Sequence, residues 1–327
     1  MWKLLGILNR NLVIAIPLMM LAGFVCGLLA ETAWLKHLII PFTFLMVYPM
    51  MVTLKVRKVL EGGDGRAQFL AQLINFGLIP FFAFALGRLF FPQSPFLALG
   101  LLLAALVPTS GMTISWTGFA GGNLAAAVKM TVVGLIIGSL ATPFYVQALL
   151  GAQVEMNLAS VFTQIILIVF LPMLFGFFTQ QLLIRQYGQK SFQENLAPRF
   201  PALSTIGVLG IVFIALALKA RGIAAAPEML LKILLPLLLL YLFNYLLSTL
   251  TGRALLPRED AIALVYGTVM RNLSIALAVA INAFGSAGSD AALVIALAYI
   301  VQVKSAAWYV KLTERIFGPK PALTPSL

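Results

Sequence analysis

Apolar runs of about twenty residues, the length that crosses a hydrocarbon core, recur ten times along this chain. They fall near 11–30, 38–54, 67–91, 96–121, 123–149, 158–184, 203–219, 229–251, 261–285 and 290–312. No water-soluble fold hides that much apolar surface. Of 327 residues, 61% are hydrophobic and 10% charged, the composition of a polytopic membrane protein. The expected fold class is all-α, with ten transmembrane helices. The start carries Lys3 and Arg10 ahead of the first apolar run. That run is long and lacks a small-residue cleavage site, so it reads as an uncleaved span and not a signal peptide.

The net charge of +12 does not point to nucleic acid. The basic residues cluster at the ends of apolar spans instead of forming one continuous patch. With the N-terminus placed inside, fourteen Lys and Arg fall on the inner side and five on the outer. The positive-inside rule then predicts a cell (inner) membrane protein with both termini cytoplasmic. One cysteine, Cys26, excludes a disulfide framework and a cysteine metal cluster. One histidine, His37, near a predicted loop, makes no metal site. No metal and no cofactor are expected.

Two spans are broken in the middle. In 96–121 the break reads Pro108-Thr109-Ser110-Gly111; in 261–285 it reads Val269-Met270-Arg271-Asn272-Leu273-Ser274. Proline removes a donor and clashes with the preceding turn, and glycine adds backbone freedom. Non-helical backbone at membrane depth persists only inside protein or beside a wet cavity. The two breaks occupy corresponding places in two halves of the chain. Pro17 followed by Gly23-Phe24 in span 1 is echoed by Pro172 followed by Gly176-Phe177 in span 6. After each broken span comes a small-residue turn with Asn123 or Asp290, both good N-caps, and then an alanine-rich helix. Five spans per half give an inverted 5+5 repeat, with spans 4 and 9 crossing near the bilayer midplane. The organisation expected is 1–152 for the first repeat and 153–184 for the start of the second. A cytoplasmic linker loop covers 185–202, the rest of the second repeat 203–317, and a disordered tail 318–327.

Every carboxylate lies in a loop or at a span end, which argues against a carboxylate-based proton or sodium site. Arg271 sits near the centre of its span with no acidic residue at its depth. It either holds an anionic substrate or replaces a bound cation, or it braces unwound backbone by bonding free carbonyls. Lys129 is either a site residue or a lysine reaching the inner interface. Lys304 reads as interfacial. The second half-helices begin near Thr109–Thr113 and Asn272–Ser274, where free N–H groups and the dipole attract anions. Thr109, Ser110, Thr113, Asn272 and Ser274 add hydroxyl and amide groups there. Asn75, ahead of Pro80, reaches toward the same cavity. Trp116 and Cys26 read as packing.

At these residues the chain resembles the bile acid:sodium symporter superfamily, which includes the arsenite permeases. The resemblance covers nearly the whole chain. Its local signals are Val107-Pro108-Thr109 with Trp116, and Arg271-Asn272-Leu273-Ser274 leading to Phe284-Gly285. It implies a core domain of spans 3–5 and 8–10 moving against a panel of spans 1, 2, 6 and 7, with the site where spans 4 and 9 cross. This chain departs from the pattern. Arsenite permeases carry a cysteine where Thr109 stands and a span 9 glutamate where Ser274 stands, which argues against arsenite. Sodium-coupled relatives carry a glutamate and a glutamine at the positions of Gly267 and Arg271. Asn75 stands where a glutamine is expected, and Thr131 keeps the family's sodium ligand in span 5. The sodium sites therefore read as dismantled, with fixed charges in their place.

The function expected is a secondary transporter working by alternating access. Its solute is a small anion, and transport is independent of sodium. The alternatives are a sodium-coupled symporter of organic anions and an arsenite or metalloid efflux permease. An intramembrane enzyme would need Ser110 and Lys129 as nucleophile and base, and no third group orients them. The partners expected are the solute and the lipid bilayer.

Overall fold

The structure, a computed structural model, describes residues 11–54, 64–152, 154, 158–225, 227–285 and 287–319. The basic residues Lys3, Arg10, Lys55, Arg57, Lys58 and Lys320, and nearly all of the predicted tail, lie outside them. Among the described residues all regular structure is helical apart from one isolated antiparallel bridge, Pro108 with Arg271.

The helices are α1 (Leu12–Leu29), α2 (Ile39–Val52, entered through a 3-10 turn at Ala33–Leu38), α3 (Gly65–Phe90), α4 (Pro95–Leu106) and α5 (Gly111–Phe119). Next come α6 (Leu124–Leu150), α7 (158–187), α8 (Arg199–Ala225) and α9 (Glu228–Leu255). The last are α10 (Arg258–Val269), α11 (Leu273–Phe284) and α12 (Gly288–Phe317). Seven helical stretches among the described residues are long and apolar enough to cross a membrane, and α1, α4 and α11 are shorter apolar helices. The segment expected as a loop at 185–202 instead holds helical turns at Gln189–Ser191 and Phe192–Leu196, and α8 already begins at Arg199.

Exposed apolar residues run in stripes. On α1 they are Ile14, Leu18, Leu21, Val25 and Leu28; on α9 they are Leu231, Leu235, Leu238, Leu242, Leu246 and Leu250. Steps of three and four put each set on one helix face, and a purely apolar outer face suits lipid. α4 is the opposite case, with Leu97 to Leu106 all buried.

Two packing groups result. α1 and α2 pack on α8 and α7 packs on α2, while α3–α6 and α9–α12 form the second group. Within the first, a Cβ at Gly27 would collide with the Ala217 carbonyl. Only glycine lets α1 and α8 approach this closely, as small residues do between membrane helices. Within the second, Pro80 cannot donate to the carbonyl four residues back. The preceding turn, Leu73–Leu78, is a π-bulge, and the Phe76 carbonyl takes the Tyr145 hydroxyl at 2.6 Å instead. The fold thus places a proline-loosened turn beside α6 with its polar atom satisfied.

Candidate functional site

The backbone between α4 and α5 and the backbone between α10 and α11 meet and pair. Thr109 N–H donates to the Met270 carbonyl at 2.7 Å, and Asn272 N–H donates to the Val107 carbonyl at 2.8 Å. Each break supplies what the other lacks, so both survive away from water. Thr109 is held at φ +63°, a region unusual for a β-branched residue. Its hydroxyl lies 2.6, 3.3 and 3.1 Å from the carbonyls of Pro108, Met130 and Thr131. A Cβ at Gly134 would stand 2.7 Å from that hydroxyl, so α6 must be bare there.

Both half-helices beyond the breaks are capped. Ser110 Oγ accepts from Met112 N–H at 3.2 Å, and Thr113 Oγ1 accepts from Ser110 N–H at 3.2 Å. Asn272 Oδ1 accepts from Ile275 N–H at 3.2 Å. Asn123 caps α6 as expected, accepting from Ala126 N–H. Asp290 does not cap α12. It lies in the first turn, and its carboxylate pairs with Lys219 of α8 at 2.8 Å.

Arg271 is 3% exposed. Its Nη1 donates to the Ala105 carbonyl at 3.0 Å, and its Nη2 has no partner among the described residues. Its own N–H donates to Gln302 Oε1 at 2.8 Å, while its carbonyl accepts from Gln302 Nε2 at 3.2 Å. Tyr241 hydroxyl also donates to Gln302 Oε1, at 2.9 Å. Ser274 and Tyr299 share a 2.5 Å hydroxyl contact.

A cavity of about 440 Å³ opens on this junction. Ser110, Arg271, Asn272, Ser274, Tyr299 and Gln302 supply the polar wall at the junction, and Ser115 with Thr53, Ser204 and Thr205 adds hydroxyls elsewhere. Met112, Trp116, Phe119 and Leu273, with Leu12, Met50 and Val208 from the first packing group, supply its apolar wall. A guanidinium and the first turns of two half-helices thus border one cavity whose remaining wall is largely apolar.

Of the residues singled out from the sequence, Ser110, Arg271, Asn272 and Ser274 line the cavity. Thr109 and Thr113 are buried behind it and hold the break. Asn75 Nδ2 donates to the Gly267 carbonyl at 3.0 Å, tying the α3 bulge to α10. Thr131 hydroxyl turns back to the Ala127 carbonyl. Lys129 does not line the cavity. It is buried, with its ammonium 3.2 Å from Asp64, whose other oxygen accepts from Asn123 Nδ2. Asn123 donates also to Asp260 at 2.7 Å, joining α3, α6 and α10 at one end of the group. Ser110 and Lys129 are thus separately engaged. Gln302, Tyr241 and Tyr299 join the site from outside the sequence expectation; the one signal is Gln302, an amide inside the apolar run 291–303. Trp116, expected to be packing, lines the cavity. Among the described residues, no three His, Cys, Asp or Glu gather closely enough to hold a metal.

The apolar helices and their lipid-suited faces define a multi-pass membrane protein, and the cavity at paired helix breaks is the feature of one that moves solutes. The chain belongs to the sodium bile acid symporter family, whose model matches residues 40–226. It is a membrane transporter of that family. It is 21% identical to the arsenical-resistance protein Acr3 of Corynebacterium glutamicum, over 75% of this chain and 70% of that one. To Acr3 of Alkaliphilus metalliredigens it is 25% identical, over 83% and 80%. To sodium/bile acid cotransporter 7 of Xenopus tropicalis it is 27% identical, over 34% and 31%.

Proposed function

We propose that the chain is a secondary transporter, working by alternating access, that carries a small anion without sodium coupling. The carrying observation is Arg271: a buried guanidinium that lines the cavity and whose Nη2 has no hydrogen-bond partner among the described residues. A buried charged donor without a partner is costly, and a bound carboxylate or oxyanion removes that cost. The first half-turns of α5 and α11 add N–H groups and dipole at the same place. The apolar wall suits a solute with a hydrophobic body.

In this reading the ten spans form an inverted 5+5 repeat, 1–152 against 153–317, with both termini cytoplasmic in the cell membrane. Sodium independence is supported by Gly267 and Arg271. They stand where sodium-coupled relatives carry a glutamate and a glutamine, and a permanent positive charge at the crossover repels a cation. Lys129, paired with Asp64, which in turn accepts from Asn123, serves as a second fixed charge, holding together helix ends that a bound ion would otherwise join.

The test is thermal stability of the purified protein against a panel of organic anions and arsenite, in sodium and again in choline. A ligand that binds the native state raises its stability. Equal stabilisation by an organic anion in both salts supports the reading. Stabilisation only in sodium replaces it with a sodium-coupled symporter, and stabilisation by arsenite alone replaces it with a metalloid permease.

A further inference from the structure

A second cavity, of about 490 Å³, lies between the two packing groups. It is lined by Ala30 to Ala33 and Lys36 beyond α1, by Lys219 and Arg221 near the end of α8, and by Gly285 and Ser289. The crossover cavity takes Leu12, Pro201, Ser204 and Val208, from the beginnings of the same two helices. The two cavities therefore open at opposite ends of α1 and α8. Along α8 they are separated by the turns from Val208 to Ala215, about 10 Å at 1.5 Å per residue. Asn282 of α11 donates to Thr43 of α2 at 3.2 Å between the groups.

The charges in this second cavity are unevenly matched. Arg221 pairs with Glu31 at 2.8 Å, both well exposed and both within the first group. Lys219 pairs with Asp290 at 2.8 Å and so joins α8 to α12, across the two groups. Among the described residues Lys36 pairs with no carboxylate. A concave, low-dielectric wall with surplus positive charge focuses anions.

We propose that this cavity is a second anion site, for a carboxylate or other oxyanion, that binds between Lys36 and Lys219 and takes Lys219 away from Asp290. Binding there unfastens the ion pair that joins α8 to α12 at this end. The released Asp290 is not stranded. It sits in the first turn of α12, where the helix dipole favours a negative charge, and its side chain is 35% exposed. Asp290 is thus a competitor built into the site, and the arriving anion exchanges with it. The proposal stands on this cavity and does not depend on Arg271.

The test uses the full chain in detergent, with Cys26→Ser and a bimane fluorophore on Ala33→Cys, an exposed position of the cavity wall. Sulfate is the probe, exchanged against chloride at constant ionic strength. The expected result is a saturable change in emission. Lys36→Gln weakens the apparent Kd by about fivefold, the scale of one partly exposed charge pair. Asp290→Asn tightens it by about threefold, because the competitor is gone. A change that does not saturate, or one that Lys36→Gln leaves in place, overturns the proposal. So does an Asp290→Asn variant with unchanged or weaker binding, the outcome for a purely structural ion pair. Sulfate-dependent melting of unlabelled wild type and Lys36→Gln repeats the comparison without the fluorophore: wild type should be stabilised and the variant less so. The reporter reads only this cavity, so failure here and failure of the Arg271 reading are separate events.

Discussion

Gln302 holds both backbone polar atoms of Arg271, accepting from its N–H at 2.8 Å and donating to its carbonyl at 3.2 Å. One side-chain amide from α12 thus replaces the two helical hydrogen bonds that the break removes. The guanidinium is left to reach the Ala105 carbonyl and the cavity.

Replacing Gln302 by Leu should therefore unfold the junction before it affects the rest. Each orphaned buried group costs about 1–3 kcal/mol. The expected outcome is a lower melting temperature and loss of ligand-dependent stabilisation. Gln302→Glu keeps the acceptor for Arg271 N–H but loses the donor, sets a carboxylate against the Arg271 carbonyl and adds a negative charge to the cavity wall. It should abolish anion stabilisation even where the protein remains folded, and a melting series with and without ligand checks both.

Arg271→Lys keeps a positive charge but loses the planar fork. One ammonium cannot hold the Ala105 carbonyl and a ligand in the geometry the guanidinium provides. Ligand affinity should fall by about tenfold or more, equivalent to roughly 1.4 kcal/mol, with sodium remaining without effect. Flux into proteoliposomes in sodium and in choline is the measurement. Flux that becomes sodium-dependent in Arg271→Gln would show that the guanidinium occupies a cation's place.

The bare surface of α6 at Gly134 gives a steric test. A methyl there stands 2.7 Å from Thr109 Oγ1. Gly134→Ala should cost about 1–3 kcal/mol through displacement of the break, although alanine is the better helix former. Gly222, with nothing near its missing Cβ, is the control: alanine there should be neutral or slightly stabilising. Denaturation midpoints of the two variants should move in opposite directions or differ clearly.

Lys129 and Asp64 form a pair with side chains only 6% and 17% exposed. Removing one partner of a buried pair costs about 3–5 kcal/mol, while removing both is far milder. Asp64 retains some water, so the single-variant cost should fall at the lower end. Lys129→Met should be less stable than Lys129→Met combined with Asp64→Asn. A double-mutant cycle of unfolding measures the coupling; additivity of the two changes would remove the pair from any ion-replacing role.

The membrane class and the two breaks are legible in the sequence because each is a local signal. An apolar run, a proline inside it, or an arginine at mid-depth is visible without a partner. Arg271, Ser110, Asn272 and Ser274 stand out for this reason. Gln302 and Tyr241 do not, because their meaning lies in residues 31 and 61 positions distant. Asp290 reads as a cap because its neighbours in sequence fit one. Its actual partner, Lys219, is on another helix. Lys129 fits both a site and an interface by sequence for the same reason. Its partner Asp64 is 65 residues away.

The pairing of the two breaks also bears on how the chain is made. Val107 and Thr109 enter the bilayer while their partners, Asn272 and Met270, are still unsynthesised, and Ala105 precedes Arg271 by 166 residues. Until then the Pro108 region carries backbone groups that lipid cannot satisfy, each worth several kcal/mol. The nascent first half must keep those groups shielded by the insertion machinery or by trapped water. Topology thus becomes final only when the second half arrives, so a chain halted before residue 270 should be a substrate for membrane quality control.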